Sequence, residues 1–448
     1  MKKHRLKIGT AALLMALVTA GCGGNGPAAS PSSSPAGSPT ETAAASSAAP
    51  SAPVKLSLMH GWTGEVPMAK AFEPAIERYA ADHPEVNLEV ITQAGNAIKE
   101  KLVIDMAANQ PPDVFLHWGL SVTEPYVKNG KVADLTDLIS ANGELAGRYV
   151  DGSLNPVTLG GKVYGLPIET YMHVFLVNQV LFDEHGVKVP ATFEELKTAV
   201  SAFKGKGLIP IAANGTSARY LIEAMHSQAV DNNELMDMFA GKKPFDARLT
   251  DASAKLVELS GMGAFPKGAE TLQTLQALAF FNEKQAPMYY QSSWTIGNLV
   301  PEVVGDAKVV PFPLVSDQAV PTMTAGAGYF VYMSQAAYEN EEKRQAAWEL
   351  MQYLAGPEVA KDLIELAANP SPVKVSFDES KVSAPFAQVQ QLQQSIDKTF
   401  ESYQELVGDK TVYQELANRV LLGDLTPEGF AEEMNKLVKE HPNSVLAQ

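Results

Sequence analysis

The sequence predicts an α/β protein made of two successive strand-and-helix segments. Three observations lead there. Residues 54–119 read strand, helix, strand, helix, strand, the pattern of a mainly parallel sheet. A stretch rich in glycine, Gly160-Gly161-Lys162-Val163-Tyr164-Gly165-Leu166-Pro167-Ile168, then punctuates the chain before strands and helices resume. The chain is also 448 residues long and 46% hydrophobic, ample for a large core and too long for one ordinary domain.

The N-terminus reads as a targeting segment. Lys2, Lys3, Arg5 and Lys7 form a basic stretch, and Ile8 to Val18 an apolar run too short to span a bilayer. Thr19-Ala20-Gly21-Cys22 follows and contains the only cysteine. It resembles the lipobox of bacterial lipoproteins, in which the peptide is cut before a cysteine that then carries lipid. Leucine is usual where Thr19 stands. The resemblance implies a signal peptide at 1–21 and a diacylated Cys22, which meets the need of stable anchoring for more than one acyl chain. The alternative is an ordinary secretory peptide cut nearby. With a single cysteine there is no internal disulfide, so an exported fold must stand on its core alone.

Gly23 to Pro53 is low-complexity sequence with six prolines and one charge, Glu41. It cannot bury enough apolar surface to fold, so 22–53 is expected to be a lipidated cysteine and a disordered tether. Such a tether spans on the order of 30 Å. Formal net charge is −16, and beyond residue 21 it is −20, from 31 basic and 51 acidic residues. That surface repels nucleic-acid phosphates and anionic headgroups. No nucleic-acid partner is expected, and a neutral or cationic ligand is easier to accommodate.

Val54 to Met59 alternates as a strand should and runs into the loop His60-Gly61-Trp62-Thr63-Gly64. Met68 to Ala81 has helical spacing, Val86 to Ile91 is a second strand and Ala97 to Ala108 a second helix, stopped by Pro111-Pro112. Asp113 to Gly119 is a third strand ending at Trp118. After the glycine-rich break come a strand at Met172–Asn178, a short helix at Val180–His185 and a helix opened by a capping box, Thr192 to Glu195. Residues 208–213 and 287–290 are short strands, and 219–285 is helical with breaks at Gly241–Pro244 and Gly261–Gly268. Asn340 to Ala355 is a helix stopped by Gly356-Pro357, and Thr426-Pro427 opens the last helix.

One stretch combines these signals. Pro287-Met288-Tyr289-Tyr290 suits a buried strand, Gln291-Ser292-Ser293 a polar turn, and Thr295 to Val300 a short helix. Trp294 then sits at the carboxyl end of a strand, where ligands bind in open α/β sheets. A tryptophan there either fills a core or meets a ligand, and the stretch alone leaves both open.

From Val54 to the C-terminus the chain resembles the extracellular solute-binding proteins of ABC sugar importers, the family that includes maltose-binding protein. The matching pieces are His60-Gly61-Trp62, Pro112-Asp113-Val114-Phe115, Gly161 to Pro167, and Phe175-Leu176-Val177-Asn178 with Leu181-Phe182. Pro190-Ala191-Thr192-Phe193-Glu194-Glu195-Leu196, Met288 to Trp294, Gly326 to Tyr329, and Ala346-Ala347-Trp348-Glu349-Leu350 complete the set. The resemblance implies a two-lobed, periplasmic-binding-protein-like fold of type II, joined by a hinge that the chain crosses several times. Lobe one would be 54–165 plus 325–370 and lobe two 168–322 plus 371–448, with crossings near Leu166-Pro167 and Pro321 to Gly326. It implies a carbohydrate ligand, ABC permease transmembrane subunits as partners, a monomer, and a lipid anchor on the extracytoplasmic face of the cell membrane.

A sugar presents C–H faces that aromatic planes cover and hydroxyls that acids and amides bond. Trp62, Trp118 and Trp294 all lie at strand ends, whereas Trp348 lies on an amphipathic helix and reads as core. In the family a tryptophan at the position of Trp294 contacts ligand. Glu65, His117 and Glu169 sit in or beside the same loops and are candidate ligand contacts, each with the alternative of a solvated loop residue, and Glu169 and Tyr171, just past the first expected crossing, should face the cleft. Asn96, Tyr290, Gln291 and Tyr329 are weaker candidates.

No Gly-x-Ser-x-Gly elbow, His-Glu-x-x-His or phosphate loop occurs in the sequence, and its histidines are scattered. No catalytic residue, metal or cofactor is therefore expected. Two readings stand against a sugar carrier: the same fold serving a peptide, a polyamine or a sensor, and a lipid-anchored glycoside hydrolase working through two carboxylates.

Overall fold

A computed structural model describes residues 52–93 and 97–443. The expected signal peptide, Cys22, all but the end of the tether, and Asn96 lie outside the described residues. The strands, in chain order, are β1 (Val54–His60), β2 (Val86–Thr92), β3 (Val114–His117), β4 (Thr158–Leu159), β5 (Lys162–Val163) and β6 (Gly165–Asn178). They continue as β7 (Ile211–Ala212), β8 (Met288–Ser292), β9 (Ala307–Val310), β10 (Thr322–Met333) and β11 (Lys398–Phe400). Among the described residues β4 and β5 form a small hairpin, and the other nine form one sheet in the order β2-β1-β3-β10-β6-β8-β7. β9 pairs with β6, and β11 with β10.

The sheet is mixed rather than mainly parallel. β1 runs parallel to β2 and β3, and β7 to β8, while β10 is antiparallel to β3 and to β6, and β8 and β9 are antiparallel to β6. Two long strands join its two ends. β6 is buried along its length except at Thr170, as expected of an apolar strand covered on both faces. It starts at Gly165, not at Met172, and so passes straight through Leu166-Pro167. β10 was not visible as a strand, because Thr-Ala-Gly-Ala-Gly carries no alternation. Pairing with β3, β6 and β11 holds it instead.

Helix ends follow their local chemistry. Thr192 Oγ1 accepts from Glu195 N at 3.3 Å, and the Glu195 carboxylate reaches back to Ala191 N at 2.8 Å, one residue beyond the expected capping box. Asn340 caps helix Glu341–Leu354, and Thr426 with Pro427 at the first turn opens helix Pro427–Glu440. Gly356-Pro357 ends one helix and begins another, Pro357–Ala367. The short helix after β8 is a 3-10 helix that begins at Ser293 and ends at Asn298.

Core side chains fall into groups that follow the two ends of the sheet. At one end Leu58, Phe72, Leu116, Val331 and Leu350 pack on one face, and Met59, Leu102, Phe115 and Tyr332 pack together in a separate cluster. At the other end Phe175, Phe203, Leu221, Phe239 and Phe430 form one cluster, and Val174, Leu176, Phe281 and Phe386 another. β6 supplies both ends, with Leu166 and Ile168 at the first and Phe175 and Val177 at the second.

Candidate ligand-binding cleft

β1 and β3 are parallel neighbours, so the loops leaving their carboxyl ends emerge on the same edge of the sheet. Those loops carry Trp62 and Trp118. Tyr329 of β10 lies between the two, its ring centre 5.2 Å from that of Trp62 and 4.6 Å from that of Trp118. Trp62 is only 2% exposed and meets Phe72 edge-on at 5.0 Å. Trp118 is half-buried. The three rings form one aromatic group.

Polar atoms without partners collect beside it. Among the described residues Trp62 Nε1, His117 Nδ1, Glu169 Oε2 and both amide atoms of Asn369 are buried with no hydrogen-bond partner. Glu169 stands opposite Tyr329 in the β6–β10 register. Burial raises its carboxyl to about 8, and the nearby Asn369 side chain opposes that. His117 meets Trp118 edge-on at 5.2 Å, and burial, with Lys410 and Lys99 nearby, pushes its imidazole down to about 3. It is therefore neutral.

Tyr171, two residues past Glu169, is buried, and its hydroxyl accepts from Ser402 N at 3.0 Å and donates to Glu401 Oε1 at 3.5 Å. His173, next on the same face of β6, packs against Tyr220 with ring centres 3.9 Å apart and planes tilted by 46°. Tyr290 packs between Phe175 and Phe312 and is a core residue in this structure. Gln291 is buried in a polar knot, donating to Asn214 Oδ1 at 3.1 Å.

Trp294 comes from the other end of the sheet. It is partly exposed and packs against the same cluster as Trp62 and Tyr329. Asn298 Nδ2 donates to the main-chain oxygen of Glu65 at 3.0 Å, so the segment Ser293–Asn298 touches the loop that follows β1. The Glu65 side chain itself is exposed, and the residue joins this contact through its backbone.

Charged residues that no sequence motif signalled stand next to the aromatic group. Lys99 Nζ lies 3.9 Å from the Trp118 ring centre and Lys410 Nζ 5.2 Å from it. Burial is the main cause that lowers the Lys99 ammonium to about 8. Arg219 donates through Nε to Gln414 Oε1 at 2.6 Å and through Nη2 to the Tyr220 hydroxyl at 3.2 Å. Ser121 Oγ donates to the Glu405 carboxylate, which joins the two ends of the fold. Glu223 is fully buried and accepts from Ser402 Oγ at 2.8 Å and the Tyr413 hydroxyl at 3.2 Å. These residues come from helices whose sequences show nothing beyond ordinary amphipathic spacing, so only the fold brings them together.

Among the described residues no group of three or more His, Cys, Asp or Glu side chains could hold a metal ion, and no helix is long and apolar enough to cross a membrane. The arrangement is an aromatic surface edged by unpartnered polar atoms, shared between two halves linked by β6 and β10. Residues 74–390 match the family described as bacterial extracellular solute-binding protein. The chain belongs to that family. An uncharacterized ABC transporter extracellular-binding protein of Pyrococcus horikoshii is 22% identical over 318 residues, 67% of this chain and 69% of that protein. The diacetylchitobiose binding protein DasA of Streptomyces coelicolor is 31% identical over 129 residues, 29% of this chain and 28% of that one. The chain spans about a third of the length of the first curated relatives it matches, which come from Brucella and are 29% identical over 137 residues. A solved structure from work on xylan utilization by Caldanaerobius polysaccharolyticus superposes with a TM-score of 0.77 at 26% identity, covering 86% of this chain and 99% of that one. This solute-binding protein thus has the two-lobed, mixed α/β fold of its family.

Proposed function

We propose that this solute-binding protein is the extracellular carbohydrate-binding component of an ABC importer, which captures a sugar between its lobes and delivers it to the permease. One observation carries the reading. Trp62, Trp118 and Tyr329 form an aromatic group whose border holds buried, unpartnered Trp62 Nε1, Glu169 Oε2 and the Asn369 amide. Ring C–H faces fit the first feature and hydroxyls the second, since a hydroxyl can donate and accept at once. The relatives described for diacetylchitobiose binding and xylan utilization support it.

In this reading the lobes are 54–165 with 325–370, and 168–322 with 371–448, and β6 and β10 are two of the hinge crossings. Trp294 is the second lobe's contribution to the ligand wall, and Glu65, His117 and Tyr171 border it. The protein acts as a monomer held on the outer face of the cell membrane by lipid on Cys22. It performs no covalent chemistry: a ligand that binds the closed form better shifts the population toward it. Micromolar affinity, about −8 kcal/mol, is enough for capture and still allows release.

Titrating intrinsic tryptophan fluorescence with chito-, xylo- and malto-oligosaccharides tests this. Saturable quenching or enhancement by at least one series is expected, with Trp118→Ala and Trp294→Ala each weakening it. No response to any sugar, together with a peptide or polyamine co-purifying in native mass spectrometry, would sink the carbohydrate reading.

A further inference from the structure

Three cations converge beside Trp118, and they come from opposite halves of the fold. Lys99 lies on helix Ala97–Ala107, which packs into the first half through Ile98 and Leu102. Arg219 and Lys410 lie on helices Ser217–Ser227 and Lys410–Leu422, which pack into the second through Leu221 and Leu416. The Lys99 and Lys410 ammonium groups approach the same indole ring, at 3.9 Å and 5.2 Å from its centre. Gln414, one helical turn beyond Lys410, holds Arg219 Nε at 2.6 Å, which puts the guanidinium beside that lysine.

The protein neutralises this group only from a distance: Glu405 attracts all three cations and Glu223 attracts Arg219, but no salt bridge closes on any of them among the described residues. Among the described residues none of the three has a carboxylate oxygen within 4.0 Å. Arg219 is 6% exposed, and its Nη1 has no hydrogen-bond partner at all. The Glu405 carboxylate already accepts from Ser121 Oγ. Burial raises Glu223 to about 7 and Glu401 to about 8, so neither is a full counter-charge at neutral pH. Like charges held this close repel one another, and a cation as buried as Arg219 is ordinarily paired.

We propose that the ligand is an anionic carbohydrate whose negative group, a uronate carboxylate or a sugar phosphate, lies among Lys99, Lys410 and Arg219. The proposal rests on the carbohydrate reading above and adds the charge. It also gives closure a driving force. Bringing the second half's Lys410 and Arg219 toward the first half's Lys99 is opposed by repulsion, which an anion between them converts to attraction and a neutral sugar leaves in place. The net acidity of the chain does not oppose this, because charges more than about 8–10 Å away are largely screened at physiological salt.

Isothermal titration of the protein decides it. The probes are uronate-containing oligosaccharides from xylan and pectin, the same preparations after their carboxylates have been reduced to alcohols, and hexose phosphates. The acidic sugars are expected to bind at least about tenfold more tightly than their reduced forms, less so as salt is raised. Lys99→Gln and Lys410→Gln, both at partly exposed positions, should keep a cooperative melt and bring that ratio toward one. Tighter binding of hexose phosphates than of uronates supports the proposal and assigns the anion to phosphate. Equal or tighter binding of the reduced sugars overturns the proposal and leaves the carbohydrate reading standing. Binding of neither acidic nor neutral sugars overturns both.

Discussion

Tyr329 stands opposite Glu169 where β10 pairs with β6, at a point where the ladder slips on both sides of the tyrosine. Gly328 makes the slip possible. A Cβ there would lie 3.1 Å from Tyr171 Cδ1 and 3.4 Å from Glu169 Oε1, so the space beside the strand belongs to those two side chains. The irregularity sets a carboxyl group against the aromatic surface and keeps it from water.

That carboxyl makes stability depend on pH. Burial raises Glu169 to about 8 from its ordinary value of 4.5, so the folded state holds its proton more tightly than the unfolded chain. The contribution is fully present below about 4.5 and is lost as pH rises through about 8. Glu401, also raised to about 8 mainly by burial, acts in the same direction. The buried His60, His117, His173 and His226, all held below their ordinary value by burial, oppose this trend only below about pH 6.5, so melting temperature is expected to fall between about pH 6.5 and 9, and Glu169→Gln to flatten part of that fall. A variant that melts with the parent's pH profile would show that Glu169 is ionised in the fold.

The two tryptophans of the first half should separate stability from binding. Trp62 is 2% exposed and packed on Phe72, so Trp62→Ala is expected to cost about 3–5 kcal/mol in urea unfolding as well as ligand affinity. Trp118 is half-buried and carries Lys99 on its face. Trp118→Ala should cost clearly less stability while weakening sugar binding by at least tenfold, about 1.4 kcal/mol. Equal losses of stability in the two variants would make Trp118 a core residue and remove it from the cleft.

Tyr171 ties the central strand to the C-terminal region. Its hydroxyl accepts from Ser402 N at 3.0 Å in a buried setting. Tyr171→Phe leaves that donor unpaired and is expected to cost about 1–3 kcal/mol. Amide exchange should show Ser402 losing protection in the variant while residues of β1 and β2 keep theirs.

The ends of β1 and β3 were legible because each apolar run stops at a glycine-tryptophan or tryptophan-glycine pair, a local signal. The helix caps at Thr192 and Thr426 were legible for the same reason. β10 was not, because its Ala-Gly-Ala-Gly segment is a strand only through neighbours far away in sequence. Local reading also placed the start of β6 too late, since Gly165-Leu166-Pro167 looks like a break and is held as strand by Val331 and Tyr332 opposite. The cationic group was hidden altogether. Lys99, Arg219 and Lys410 belong to three helices separated by more than a hundred residues each, and nothing local marks cations that the fold will bring together.

Gly297 offers a test of closure itself. It lies in the 3-10 helix that carries Trp294, and a Cβ there would come within 2.4 Å of the Ala367 carbonyl oxygen and 2.6 Å of Pro67 Cβ. Both are parts of the first half, so the clash acts between the halves rather than within either core. Backbone cannot yield as a flexible side chain does. Gly297→Val is therefore expected to keep a cooperative unfolding transition within about 1 kcal/mol of the parent, as for a substitution outside a packed core. Ligand affinity should nevertheless fall, and small-angle scattering should show a larger radius of gyration for the variant than for the parent in the presence of ligand. If the variant binds and contracts like the parent, the segment Ser293–Asn298 does not meet the first half in the ligand-bound form.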